Sequence, residues 1–238
     1  MGKVDPMTYR GRIGPVIHYQ VGNKYYTRSM PRKFRQTRAT KARAIEFGQA
    51  STIGASIRRI LTPVISEEFD LKTRGRLVGV VFNWLQGHNL KQENSPDFLE
   101  LSQFNYDLNH SSVLGRWKVQ IEIKNPSRGF VQIKIPAFVP RSEIVAPAGT
   151  KTVVCQIGIG SINLKDGGLL KNLSFDLKFD FNNIPVEEKI ISADLPTPKE
   201  SMVVTGASLH YGILKNGKLK SNPNKAFMPA GIINVLLV

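Results

Sequence analysis

The sequence predicts an α+β protein, mainly β: a basic N-terminal hairpin and two helices, then an antiparallel, immunoglobulin-like β-sandwich. Three observations carry this. Apolar residues from Phe47 to Leu61 recur at helical spacing, the period changes to two after Phe98, and Pro, Gly and Asn cut the remainder into seven or eight short strands. The division falls near residue 95, giving a helical module over 1–95 and a β domain over 96–238.

Residues 12–28 read as a hairpin. Ile17, Tyr19 and Val21 alternate with His18 and Gln20, Gly22-Asn23 supplies a tight turn, and Tyr25 to Arg28 returns. A basic loop follows, with Arg32, Lys33, Arg35 and Arg38 around Phe34. Cations interleaved with aromatic rings suit single-stranded nucleic acid, pairing with phosphates while rings stack on bases. No recognisable nucleic-acid-binding motif accompanies them, which favours a plainer account in which the rings of Phe34 and, just upstream, Tyr25 and Tyr26 pack beneath a solvated loop.

Thr37 to Leu61 is the longest helical stretch. Phe47, Ala50, Gly54, Ile57 and Leu61 are 3, 4, 3 and 4 residues apart, so they share a face that should be buried. Gly48, Ser51 and Ala55 form a small-residue seam beside it, open to close approach by a second element. Thr37 or Thr40 caps the start, Arg58 and Arg59 suit the dipole at the end, and Pro63 stops the helix. Glu67, Glu68 and Asp70 precede a second helix, in which Leu77, Val81, Trp84 and Leu85 share a face and Gly87 closes.

In the C-terminal part, Trp117, Val119, Ile121 and Ile123 alternate with polar residues as a half-buried strand. Asn125 to Gly129 turns the chain, and Val131, Ile133 and Ile135 form the next inner face. A third strand spans about Lys151 to Ile159. In the fourth, Leu173, Phe175, Leu177, Phe179 and Phe181 point one way. Short strands near Lys189–Ala193 and Met202–Thr205, a hairpin from Ser208 across Asn216-Gly217, and the apolar Ile232–Val238 complete the set. Neither antibody-type Cys and Trp spacing nor a repeat of solenoid length is visible.

The 238 residues carry a formal charge of +15, unevenly spread. Residues 1–45 hold eleven Lys and Arg against the single acid Asp5, a net of +10, which points to a polyanionic or acidic partner for that part. The one cysteine, Cys155, permits no internal disulfide and alternates with Val153 and Ile157 as a core thiol. Without an apolar leader or a membrane-length apolar run, the expected location is cytoplasmic, with no membrane span. Gly158-Ile159-Gly160-Ser161 resembles the start of a dinucleotide turn but continues a strand and has no third Gly at the needed spacing. His18 and His210 read as structural imidazoles within strands. No combination of nucleophile, base and oxyanion donor emerges, so neither enzyme activity nor a cofactor or metal is expected.

The glycine-bearing hairpin Gly11–Arg28, the helix motif Glu46-Phe47-Gly48-Gln49-Ala50-Ser51 with Arg58, Arg59 and Leu61, Pro147-Ala148-Gly149-Thr150 before a strand, and the hairpin across Asn216-Gly217-Lys218 together resemble an uncharacterised family of Bacteroidota proteins. The resemblance covers most of the chain. It implies a shared architecture of hairpin, helices and sandwich, and no particular activity.

These observations favour a non-catalytic structural or assembly protein. Its sandwich would associate with itself or a partner, as a homo-oligomer or part of a larger assembly, while the basic module docks on an acidic protein or nucleic acid. The alternative is a salt-dependent, sequence-nonspecific nucleic-acid-binding protein, with Arg32, Lys33, Arg35, Arg38, Lys41 and Arg43 on phosphates.

Overall fold

The computed structural model describes residues 4–5, 8–30, 36–65, 71–89, 100–106, 112–127, 129–215, 218–221 and 228–238. Mainly β with two long helices, the chain divides into two compact units, Met1–Arg43 and Ala44–Val238.

The first unit contains a two-stranded ladder, β1 (Val4–Asp5) with β2 (Thr8–Tyr9), and an antiparallel meander of β3 (Gly11–Ile13), β4 (Val16–Val21) and β5 (Lys24–Ser29). The expected hairpin is its β4–β5 half.

Helix α1 (Arg38–Leu61) begins where predicted: the Thr37 hydroxyl accepts a hydrogen bond from the Thr40 amide at 3.1 Å. Its buried stripe is Ala50, Ile53, Gly54, Ile57, Ile60 and Leu61. Two expectations fail at its N-terminal end. Phe47 is 53% exposed, and nothing lies within 4 Å of a Cβ built on Gly48. A straight helix drifts about 20° per heptad, so Phe47, two heptads before Leu61, has rotated some 40° off the buried line. The close approach occurs at Gly54 instead, where a Cβ would stand 3.2 Å from Val78 Cγ2 of α2 (Leu71–Asn89). The inward face of α2 is the predicted one, with Leu77, Val81, Trp84 and Leu85 buried alongside Val80. Glu67, Glu68 and Asp70 lie outside the described residues.

Two antiparallel sheets follow. The smaller has the order β10 (Lys189–Asp194), β7 (Phe130–Ile135), β6 (Glu122–Ser127). The larger is built on β11 (Ser201–Lys215), which pairs along one edge with β8 (Thr150–Asn163) and along the other with β13 (Ala230–Leu237) and β12 (Lys218–Ser221); β9 (Leu169–Asp180) completes it beside β8. Alternation along β11 sorts its side chains. Met202 and Val204 join the helices in one buried cluster, whereas Val203, Ala207, Leu209 and Tyr211 join Val131, Ile133 and Ile135 of β7 in another. The larger sheet therefore has helices on one face and the smaller sheet on the other.

This arrangement explains why the chain does not divide at 95/96: the buried faces of both helices lie in one core with strands of the larger sheet. Two strand predictions are also corrected. Trp117 and Val119 are buried, but Trp117 to Ile121 belongs to no strand, because its backbone bonds elsewhere: Lys118 N–H donates to Glu143 O at 2.9 Å and Trp117 bridges Ile144. Met202–Thr205 and Ser208–Leu214 are one continuous strand, with a register shift against β13 at Thr205/Gly206. Gly206 is not a break but the place where the Leu61 side chain meets the strand.

The Gly158-Ile159-Gly160-Ser161 stretch lies in mid-strand in β8. A Cβ on Gly158 would stand 2.5 Å from Val64 Cγ2 and 2.7 Å from Ile60 O. Bare backbone here forms the flat seat on which the end of α1 rests. Polar ties fix the helix along the same line: Ser56 Oγ donates to Gly167 O at 2.7 Å, Gln49 Nε2 to Leu164 O at 2.7 Å, and Ser208 Oγ to Val64 O at 2.6 Å. Among the described residues, no helix is long and apolar enough to cross a membrane.

Candidate nucleic-acid interface

The N-terminal unit concentrates the charge, and its sheet orders it. Gly22 has φ +60° while Asn23 does not share a positive φ, the pattern of a type II′ turn, which suits the twist of a two-residue hairpin. The resulting register sets Ile17 opposite Arg28, Tyr19 opposite Tyr26 and Val21 opposite Lys24, and β3 adds Arg12 opposite Ile17. Directly opposed residues share a face. One face therefore carries Arg12, Ile17, Tyr19, Val21, Lys24, Tyr26 and Arg28, while His18, Gln20, Tyr25 and Thr27 occupy the other.

On that first face the Tyr19 and Tyr26 rings stack with centroids 5.7 Å apart and planes 24° from parallel. The Arg28 guanidinium lies over Tyr19, 5.5 Å from its centroid, in a cation–π contact. Tyr19 is 38% and Tyr26 43% exposed. Tyr25 is 53% exposed, so the expectation that Tyr25 and Tyr26 pack beneath the basic loop is not met, while Phe34 lies outside the described residues; three short strands cannot enclose both of their own faces. On the opposite face, Thr27 Oγ1 and His18 Nδ1 share a hydrogen bond of 2.8 Å, a structural setting for His18.

Of the cations singled out in the sequence, Arg38, Lys41 and Arg43 are exposed in the first two turns of α1. The positive end of a helix dipole disfavours cations, so helix stability does not account for them. Arg32, Lys33 and Arg35 lie outside the described residues. The strand cations Arg12, Lys24 and Arg28 were missed as site residues, because only the register puts them beside the rings. The alternation Ile17, Tyr19, Val21 continued across the Gly22 turn would have found Lys24 and Arg28.

The larger unit offers less reactive chemistry. Ser208 Oγ and His210 Nε2 are 2.9 Å apart, but the serine donates its proton to Val64 O. His210 Nε2 must then be the donor in the pair, so the imidazole is not placed to take that proton. Burial also lowers the His210 pKa below the ordinary histidine value, opposed by its backbone bond to Val64 and by Asp176. Cys155 is fully buried, and desolvation, with Asp176 nearby, pushes its thiol well above the ordinary range. Among the described residues no group of three or more His, Cys, Asp or Glu is placed to hold a metal. A cleft of about 450 Å³ runs between Trp117–Ile123 and Ile233–Asn234 of β13 and is lined mainly by aliphatic side chains.

Comparison of the chain with models of known protein families gives no match, and comparison with curated proteins gives none either.

Proposed function

We propose that the protein is a non-catalytic binding and assembly protein whose N-terminal unit docks on a polyanion, nucleic acid being the polyanion its surface suits best. The single observation that carries this is the face of β3–β5 on which Arg12, Lys24 and Arg28 stand beside the exposed pair Tyr19 and Tyr26. An acidic protein would need the cations but would give the rings no distinct task. A nucleic acid uses both. Binding of this kind is read as a salt slope. Five phosphate contacts, from Arg12, Lys24, Arg28, Arg38 and Lys41, correspond to a fall of log K with log salt of about −3.5 on a single strand, at about −0.7 per contact. Fluorescence anisotropy of a labelled oligonucleotide between about 50 and 200 mM salt tests it. The double variant Lys24→Glu, Arg28→Glu should lose most of the affinity and about two fifths of the slope. Absence of binding at low salt, or binding indifferent to salt, removes the reading.

For the larger unit we propose an immunoglobulin-like sandwich as the platform of assembly. Two antiparallel sheets with a common core support the architecture. The outer edge of β9 supports the assembly role: twelve residues long, β9 pairs only with β8 among the described strands, which leaves an edge that a second chain can extend. Light scattering across a concentration series checks this, and a strict monomer at every concentration excludes self-association by this edge.

A further inference from the structure

Resting on the polyanion reading above, we propose that the β3–β5 face selects single-stranded over double-stranded nucleic acid. One base would stack on the Tyr26 ring, and the Tyr19–Arg28 pair would form the second stacking plane. The geometry points to this in three ways. The two rings are near-parallel, stacked and solvent-exposed on adjacent strands. The cations on the same face, Arg12 of β3 with Lys24 and Arg28 of β5, flank the rings rather than forming a separate patch. The Arg28 guanidinium already stands over Tyr19, 5.5 Å from its centroid, and a guanidinium so placed can stack on a base while donating to a phosphate. Bases in a duplex are stacked on one another and offer no free face. A strand whose bases are unpaired can use both rings and cations, whereas a duplex can use the cations alone.

The competing account of Tyr19 and Tyr26 is a cross-strand aromatic pair that only stabilises the hairpin. The two accounts separate on which ligand feels a substitution. With the full-length protein, anisotropy is measured against labelled oligothymidylate, a duplex of the same length and heparin at one salt concentration. The expected result is tighter binding of the single strand than of the duplex. Tyr26→Ala should weaken the single strand by about fivefold or more, the effect of losing one base stack, with duplex and heparin affinities within about twofold. Tyr26→Phe should retain single-strand binding, since the ring and not the hydroxyl does the stacking. Tyr25→Ala, on the opposite face, should change nothing. Because Tyr26→Ala can loosen the hairpin itself, Tyr19→Phe with Tyr26→Phe is compared with Tyr19→Leu with Tyr26→Leu, which keeps apolar bulk and removes the planes. Equal single-strand affinity in the Phe and Leu pairs overturns the inference. So does preference for the duplex, or a loss that falls equally on heparin, and in each of these cases the polyanion reading survives. Failure to bind any of the three ligands overturns both.

Discussion

Gly160 of β8 lies directly under Ile60 of α1: a Cβ on the glycine would stand 2.5 Å from Ile60 Cγ1 and 2.7 Å from its Cδ1. A Cβ there would have to displace the Ile60 side chain, with the Lys171 carbonyl oxygen 3.0 Å away on the neighbouring strand. Together with Gly158 and Gly206, this makes a strip of bare strand backbone the foundation on which α1 lies, and the stability of the larger unit depends on that contact.

Gly158→Ala is therefore expected to destabilise by about 1 to 3 kcal/mol, the usual cost of overpacking. Its Cβ would meet the Ile60 carbonyl, a backbone atom that cannot swing away. Gly48→Ala should have the opposite sign. It sits in mid-helix with open space around it, so the gain in helix propensity is about 0.5 to 1 kcal/mol. Urea denaturation of the two variants checks both signs, and the same sign for both would refute the packing described.

Ile57→Ala should cost about 2 to 5 kcal/mol, because the side chain is fully buried in the helix–sheet cluster. Lys41→Ala, fully outside that core, should stay within about 0.5 kcal/mol of the parent. If Ile57→Ala melts like the parent, α1 does not depend on the sheet.

Tyr211 sets an alkaline limit on stability. Burial pushes its hydroxyl up to about 12, opposed by the Arg116 charge, and the hydroxyl donates to Val145 O at 3.1 Å. The folded value lies above the ordinary 10.0, so the native state favours the protonated form. Its contribution is complete below about pH 10 and is lost as pH rises toward 12. The Cys155 thiol, also raised, acts in the same direction. Tyr211→Phe should flatten the fall in stability between pH 10 and 12, while costing about 1 kcal/mol at neutral pH through the hydrogen bond lost. Denaturation midpoints across an alkaline pH series measure both effects.

Cys155 should be inert toward thiol reagents in the folded protein, since the thiolate is the reactive species and burial suppresses it. Labelling is expected only through unfolding, so its rate should rise with urea in parallel with the unfolding transition. Fast labelling without denaturant would contradict the buried position.

Much of the fold was legible because periodicity is a local property. The 3.6-residue repeat placed α1 and α2, and the period of two sorted Val131, Ile133 and Ile135 inward while leaving Ser174, Asp176 and Lys178 exposed. The tight turn at Gly22 and the cap at Thr37 were likewise fixed by chemistry within a few residues. The site was only half legible. Net charge pointed to the N-terminal unit, but the cations chosen were those of the loop and helix start.

By itself, then, the sequence determined where the two long helices and most of the strands lie, which of their faces are apolar, and that the first 45 residues are strongly cationic. Tertiary structure alone decided that Gly158 and Gly160 seat a helix instead of opening a turn, that Phe47 lies outside the buried stripe, and that Tyr19, Tyr26, Lys24 and Arg28 share one face. The physical reason is that these outcomes depend on register and on the direction from which a distant element approaches. Both are set by contacts between distant residues, Val64 with Ser208 at 144 positions apart among them, and no local repeat in the chain encodes which partner will arrive.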